Sequence, residues 1–182
     1  MKHPAVISLE QVLDEPVRFA FDLDVPASSL GREPLLELSP AHLEGEVARI
    51  EGGHSLQGNL SYGGRLECSR CLAAYPFQQQ ERFTLLLFKR SAAPDGEREL
   101  DRTDLDASFY DQPDISVVPI VEERIQLAVP MKPLCGPECR GLCPQCGADR
   151  NRGACGCATE ETDPRWEALR ALAGSRQDKA SR

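Results

Sequence analysis

The sequence predicts an α+β fold in which an antiparallel β-sheet carries a core helix, a cysteine-rich loop and a short C-terminal helix. Two observations lead to this prediction. Apolar and polar residues alternate over several neighbouring stretches between positions 17 and 89, which is typical of half-buried strands. Six of the eight cysteines then fall between Cys135 and Cys157, with glycines among them, which indicates a sharply turning loop.

Alternation places the strands. Apolar residues occupy every second position in the first stretch and most alternate positions in the others, so we expect strands at 17–25, 43–51, 54–68 and 75–89. Gly63 and Gly64 interrupt the third stretch as a predicted bulge or turn. Cys68 and Cys71 fall between the last two strands, and we therefore expect them at the end of a hairpin.

Capping signals place the helices. Ser8 starts a predicted short helix over 8–13, and Ser116 starts the predicted core helix over 116–129, with Pro119 still inside its first turn. Asp163 and the proline after it predict the start of a closing helix with an apolar stripe, whose members are Trp166, Leu169 and Leu172.

These elements divide the chain into three parts. Residues 1–130 form the predicted sheet core, which includes an acidic surface loop over 91–114 and the core helix. Residues 131–174 hold the cysteine-rich loop and the closing helix, and residues 175–182 are expected to be a disordered tail.

Composition predicts a cytoplasmic protein. The first apolar stretch, 6–9, is too short for a signal peptide, and no segment approaches the ~18 apolar residues of a membrane span. Thiols stay reduced in that compartment, so eight cysteines favour metal binding over disulfides.

Charge is unevenly distributed along the chain. The net charge is −8, and segment 91–123 carries ten acidic residues against two arginines. Segment 124–157 has five basic residues against two acidic ones. Because no part of the chain is strongly basic, the composition does not indicate nucleic-acid binding by electrostatics alone.

The cysteines predict zinc. Cys143-Pro-Gln-Cys146-Gly has the form of a zinc knuckle, in which a tight turn directs two sulfurs at one ion. One division joins this knuckle to Cys135/Cys139 or to Cys155/Cys157, and the remaining pair joins Cys68/Cys71 in a second site. Spacing alone does not choose between these divisions. Two alternatives also stay open: Cys68 and Cys71 as buried small residues, and an iron–sulfur cluster in place of zinc.

The same residues argue against catalysis. A zinc ion held by four thiolates has no open coordination position and is structural. A thiol–disulfide enzyme would need Cys68 and Cys71 at a helix N-terminus, and here they lie between predicted strands. No catalytic triad or phosphate-binding loop stands out, so we expect a protein that is not an enzyme.

Four arginines near the cysteines are candidate contacts for RNA or another partner. They are Arg70, Arg140, Arg150 and Arg152. They are either ordinary solvated charges or a small phosphate-binding patch, since the guanidinium fork suits phosphate oxygens. A zinc-ribbon adaptor for DNA or transcription and a thiol–disulfide redox protein remain as alternative functions.

Four motifs together resemble a known family. They are Glu67–Leu72, Glu122–Pro130, the cysteine segment Pro133–Cys157, and Asp163–Leu169. In their order and spacing the chain resembles the YceD-like family, named for large-subunit ribosomal RNA accumulation. The resemblance implies a non-enzymatic factor that supports large-subunit assembly and 23S ribosomal RNA accumulation. It implies as partners the large-subunit precursor, ribosomal RNA or a ribosomal protein, with neither a membrane nor a small-molecule substrate.

Overall fold

The computed structural model of the chain describes residues 5–90 and 107–157. The chain forms two compact units, Met1–Gly141 and Leu142–Arg182. The first contains every strand and helix named below. The predicted closing helix and the predicted tail lie outside the described residues, as do residues 91–106 of the predicted acidic loop.

Among its described residues, the first unit has eight strands and one α-helix. The strands are β1 (Val6–Ser8), β2 (Val17–Leu23), β3 (Leu35–Leu38), β4 (Ala41–Ile50), β5 (Gly53–Glu67), β6 (Ala74–Lys89), β7 (Ala107–Tyr110) and β8 (Asp114–Ser116), and the helix is α1 (Val118–Ala128). Six strands form one sheet in the order β2-β4-β5-β6-β7, with β3 also paired to β5. The other two, β1 and β8, form a small antiparallel sheet.

Strand β5 organises the large sheet. Its 15 residues pair along their whole length with β6, while its other edge pairs first with β4 and then with β3. Alternate residues of these strands supply the core, and Leu43, Leu56 and Leu60 are completely buried. Helix α1 adds Val121 and Ile125 to the same apolar cluster. The predicted alternation therefore identified the core side of the sheet.

The sheet differs from the prediction in one edge strand. It is mixed rather than purely antiparallel, because β7 runs parallel to β6. Residues of the predicted acidic loop 91–114 thus form β7 and the first residue of β8. The ring centroids of Phe109 on β7 and Phe88 on β6 are 6.4 Å apart. This apolar contact and the backbone pairing of the two strands stabilise a strand within an acidic stretch of the sequence. The described part of the chain is therefore mostly β, with one α-helix, which bears out the predicted sheet and core helix in part.

The two helix starts predicted from Ser8 and Ser116 were also wrong in part. Ser116 ends β8, and α1 begins at Val118 with Val117 as its N-cap and no side-chain cap. The Val117 amide donates instead to the Ala5 carbonyl at 2.9 Å. Ser8 closes β1 and is followed by a single 3₁₀ turn, Leu9–Gln11, rather than an α-helix.

Gly63 and Gly64 are part of a continuous β5 rather than a bulge or turn. The irregularity lies on the neighbouring strand, where the pairing register shifts between Leu35 and Glu37. A Cβ atom at Gly64 would collide with the Glu37 carbonyl oxygen. Glycine is therefore present because β3 approaches the backbone of β5 closely.

Candidate metal centres

The structure gathers all eight cysteines into two groups of four. In each group the four Sγ atoms lie within 4.8 Å of one another. The first group belongs to the unit Met1–Gly141 and consists of Cys68, Cys71, Cys135 and Cys139. The second belongs to the unit Leu142–Arg182 and consists of Cys143, Cys146, Cys155 and Cys157.

The hairpin turn between β5 and β6 supplies two thiols of the first group. The Leu72 amide donates to the Cys68 carbonyl at 2.9 Å, and the Cys68 amide donates to the Ala73 carbonyl at 3.0 Å. Leu72 has φ 58°, the left-handed conformation that costs a residue with a Cβ about 1–2 kcal/mol. This tight turn leaves Cys68 and Cys71 directed towards the same point.

The loop after α1 supplies the other two thiols. The Ser69 amide donates to the carbonyl of buried Pro133 at 2.9 Å, which fastens this loop to the hairpin turn. Arg70 Nη1 donates to the Cys139 carbonyl at 2.8 Å. The Sγ atoms of Cys68 and Cys139 are then 3.8 Å apart. Those of Cys71 and Cys135 are 3.7 Å apart.

The second group repeats the same turn. The Gly147 amide donates to the Cys143 carbonyl at 2.9 Å, and the Cys143 amide donates to the Ala148 carbonyl at 2.8 Å. Gly147, with φ 72°, takes the position that Leu72 takes in the first group. Asp149 continues the loop by accepting the Arg152 amide at 3.1 Å, and the chain then reaches Cys155 and Cys157.

The spacing of the sulfurs fits a tetrahedral metal site. Zn–S bonds of about 2.3 Å in tetrahedral geometry separate two sulfurs by about 3.8 Å. The two measured Sγ–Sγ distances in the first group are 3.7 and 3.8 Å. Four soft thiolates suit Zn²⁺, Cu⁺ or an iron–sulfur cluster rather than Mg²⁺ or Ca²⁺. Both groups can therefore bind metal ions.

The two turns also acidify one thiol in each group. Burial is the largest influence on Cys68 and opposes its ionisation, yet the amides of Cys135, Cys71 and Arg70 together lower its pKa to about 6. The amides of Cys146 and Gln145 lower the pKa of Cys143 to about 6. These thiols are therefore disposed to act as thiolate ligands.

The thiols with the highest pKa values need a nearby cation in order to ionise at neutral pH. The neighbouring Cys139 side chain, above all, raises the pKa of Cys135 to about 12. The Cys146 side chain does the same for Cys157, whose pKa is also about 12. Four thiolates thus do not coexist at neutral pH without positive charge, and a bound divalent ion would deprotonate the coordinating thiols.

Comparison with known proteins gives the family. Residues 56–173 match the family described as "Large ribosomal RNA subunit accumulation protein YceD", a stretch that begins in β5 and includes both cysteine groups. The chain belongs to the YceD family. Curated relatives include uncharacterized protein Rv2926c of Mycobacterium tuberculosis and uncharacterized protein Mb2951c of Mycobacterium bovis. Each is 28% identical over 174 residues, which cover 96% of this chain and 77% of the relative. No solved structure matches the chain.

The YceD family is not a known enzyme family, and Cys68 and Cys71 do not have the surroundings of a redox pair. They lie on a turn between two strands, not at the N-terminus of a helix that would activate a redox thiol. Among residues 5–90 and 107–157, no helix is long and apolar enough to cross a membrane.

The structure places the four predicted contact arginines in two different units. Arg70 and Arg140 belong to the first unit. Gly141, which follows Arg140, packs directly on the Arg70 backbone, so Arg70 and Arg140 are neighbours. Arg70 already uses one nitrogen to hold Cys139. Arg150 and Arg152 belong to the second unit, where Arg152 Nε lies 3.5 Å from an Asp149 carboxylate oxygen.

Sequence reasoning left the division of the cysteines open and missed the equivalence of the two turns. A signal for that equivalence was present. In both turns the second cysteine is followed by one residue and then by alanine, as Cys71-Leu72-Ala73 and Cys146-Gly147-Ala148. The leucine concealed the match, because left-handed turn positions are expected to hold glycine or asparagine.

Proposed function

We propose that this chain is a non-enzymatic factor that supports assembly of the large ribosomal subunit and accumulation of its 23S RNA. Membership of a family named for large ribosomal RNA subunit accumulation is the observation on which this proposal rests. Two zinc ions, one in each cysteine group, maintain the structure of the cysteine loops. They do no chemistry, because four thiolates leave no open position for a substrate or water.

The arginines beside the cysteines supply the contacts in this proposal. Arg70 and Arg140 extend from the first zinc site, and Arg150 and Arg152 from the second. A rigid loop holds a guanidinium ready for phosphate oxygens at a smaller entropy loss than a flexible loop would. The partner is a precursor of the large subunit, which the chain contacts through ribosomal RNA or a ribosomal protein.

Metal identity is tested by elemental mass spectrometry on untagged protein purified without added zinc. We expect about two zinc ions per chain and a colourless protein. Iron at a comparable level, together with visible absorption, would indicate an iron–sulfur cluster instead of zinc and would overturn the zinc assignment.

The biological role is tested in a strain that lacks the gene, by sucrose-gradient profiles and 23S RNA levels. We expect fewer mature large subunits, restored by the wild-type gene. A variant with Arg150 and Arg152 both changed to Ala should restore less, and a Lys89→Ala variant, which removes an exposed charge from the end of β6, should restore fully. Normal profiles in the deletion strain would refute the role.

Arg70 needs its own control because it also holds Cys139. In an Arg70→Lys variant the positive charge stays but the guanidinium fork is lost, so zinc content and folding are measured beside complementation. If zinc content falls in step with function, Arg70 acts by positioning the loop. If zinc content is kept and function falls, Arg70 contacts the partner.

A further inference from the structure

Strand β2 forms an open edge of the large sheet. It is the first strand in the order β2-β4-β5-β6-β7 and, among the described residues, it pairs with β4 alone. An antiparallel strand that pairs on one side directs every second amide and carbonyl away from its partner. The seven residues Val17–Leu23 therefore present a row of backbone donors and acceptors that is able to pair with a further strand.

Nothing in the sequence of β2 protects this edge against pairing. Natural sheets blunt their open edges with proline, lysine, a bulge or a very short strand. β2 contains no proline, lysine or glycine, and it pairs with β4 in an unbroken register over all seven residues. Its one arginine and one aspartate cancel, so the strand has no net charge. A strand of this length and composition is expected to be paired in solution.

The charges on β2 are complementary to those of a second β2. Arg18 and Asp22 lie two residues to either side of Ala20, and all three residues are on the exposed face of the strand. In an antiparallel pair of two β2 strands centred on Ala20, Arg18 of each copy would lie directly opposite Asp22 of the other. Within the seven residues of β2, only this register sets opposite charges against each other.

The other face of the strand matches itself in the same register. Phe19 and Phe21 stack with their ring centroids 5.8 Å apart, and both are only partly buried although they pack against the core. In the pair centred on Ala20, Phe19 of each copy would face Phe21 of the other, and Val17 would face Leu23. Aromatic and aliphatic cross-strand pairs stabilise antiparallel strands. Both faces of β2 therefore favour one register.

Both charged side chains are accessible to a second copy. The Asp22 side chain is 79% exposed, and its Oδ1 atom accepts a hydrogen bond from His42 Nδ1 at 2.8 Å. A carboxylate has about four lone-pair sites, so this bond leaves room for a guanidinium. Arg18 is exposed and forms no ion pair within residues 5–90 and 107–157.

We propose that a second copy of this chain pairs with β2, edge to edge and antiparallel, so that two large sheets join into one. The backbone groups of the two edges form the attachment, and the two pairs of Arg18 with Asp22 fix its register. The result is a closed two-fold dimer, because each β2 then has a strand on both sides. This inference goes beyond the proposed function and depends on neither RNA nor zinc.

The test is sedimentation velocity of zinc-loaded full-length protein at several concentrations. We expect a reversible equilibrium between the chain, of 20.0 kDa, and a dimer of twice that mass. Arg18→Asp would set two acidic side chains against each other at both contacts, and Asp22→Arg would set two arginines against each other. Either reversal should weaken the dimer by about tenfold or more, because opposed like charges destabilise a strand pair.

An equimolar mixture of the two variants separates lost complementarity from damaged folding. In a mixed dimer each acidic side chain of the Arg18→Asp chain lies opposite an arginine of the Asp22→Arg chain, so both contacts become attractive again. The mixture should therefore dimerise at a concentration where neither variant does so alone. Arg82→Asp is the matched control, because Arg82 is exposed on β6 and separated from β2 by β4 and β5, and it should dimerise like wild type.

Hydrogen exchange locates the contact. Every second amide of β2 should gain protection as the protein concentration rises, whereas the amides of β7 should not. A wild-type chain that stays monomeric at about 200 µM would overturn the proposal, since even weak specific interfaces associate in that range. A dimer that withstands both charge reversals, or a mixture that does not associate, would overturn it as well. Protection of the β2 amides in a monomer would show that the chain covers its own edge, with the same consequence.

Discussion

Loss of the first metal site is expected to destabilise the sheet far more than loss of the second. A metal ion held by Cys68, Cys71, Cys135 and Cys139 would join the hairpin turn to the loop after α1, and its shortest cross-link between them, from Cys71 to Cys135, spans 64 positions. Treated as a covalent cross-link, a closed loop of about that length contributes about 4.3 kcal/mol through the chain entropy of the unfolded state. Domains are stable by about 5–15 kcal/mol in total, so this is a large share.

The perturbation is the replacement of both hairpin cysteines, Cys68 and Cys71, by Ser. For a unit of this size about 2–4 °C of Tm is lost per kcal/mol, so the cross-link alone predicts a fall of about 9–17 °C. The matched variant replaces Cys143 and Cys146. All four ligands of that group lie in the unit Leu142–Arg182, so the melting of the sheet should barely change.

The assay is differential scanning calorimetry of zinc-loaded protein, with hydrogen exchange to assign the transition to β4, β5 and β6. Cys68 is completely buried, so serine there adds a desolvation cost of its own. Wild-type protein stripped of metal by a chelator removes this ambiguity, because it should lose a similar Tm without any substitution. Equal shifts in the two double variants, or an unchanged Tm after chelation, would refute the reasoning.

Three further predictions follow from single features. A chelator should remove metal from the second group first, because only one of its four cysteines is buried, against three of the four in the first group. Leu72→Gly should stabilise the protein by up to about 1 kcal/mol because it relieves the left-handed conformation, and Gly147→Leu should weaken metal binding because it introduces that strain. Asp22→Asn should lower the pKa of His42 towards 6.5 in an NMR titration, because the 2.8 Å hydrogen bond in which the Asp22 carboxylate accepts from His42 Nδ1, above all, raises it. Since the folded pKa of His42 is raised, the stability that this pair contributes is present below about pH 6.5 and fades as the pH rises through the folded pKa.

Each of these has a result that would contradict it. Single-phase release of both metals would show that exposure of the thiols does not control their lability. A Leu72→Gly variant that is less stable than wild type would mean that the leucine side chain, 57% exposed, makes a contact that outweighs its backbone strain. A His42 pKa that does not move in Asp22→Asn would assign its perturbation to Glu44, whose oxygen lies 3.8 Å from Nε2.

Alternation in the sequence predicted the long strands because each has one buried face. β2, β4, β5 and β6 were found this way, within a few residues of their ends. β7 was not predicted, since four residues are too few to show a periodicity. It is a strand because it pairs parallel to β6, and this pairing exists only in the folded chain. The same holds for β1 and β8, which have three residues each.

The division of the cysteines could not be predicted from spacing, because it is decided by a contact distant in sequence. The Ser69 amide bonds to the Pro133 carbonyl, and Arg70 bonds to the Cys139 carbonyl. These bonds bring the loop after α1 to the hairpin turn, which leaves Cys143 and Cys146 to pair with Cys155 and Cys157. Local signals identify a knuckle, but they contain no information on which other pair completes its site.

Bound zinc, together with its thiolate ligands, would offset the positive charge of the residues around the cysteines. Four thiolates and one Zn²⁺ carry a net charge of about −2, so two filled sites offset the excess of basic residues in segment 124–157. With a net charge of −8 before metal is counted, the chain does not attract RNA over long distances. Under the proposed function, recognition of RNA would therefore depend on a few arginines at short range, so the dependence of binding on salt should be shallow. A steep dependence, with a slope near that of proteins that make six or more phosphate contacts, would show that RNA is held by a basic surface outside the described residues.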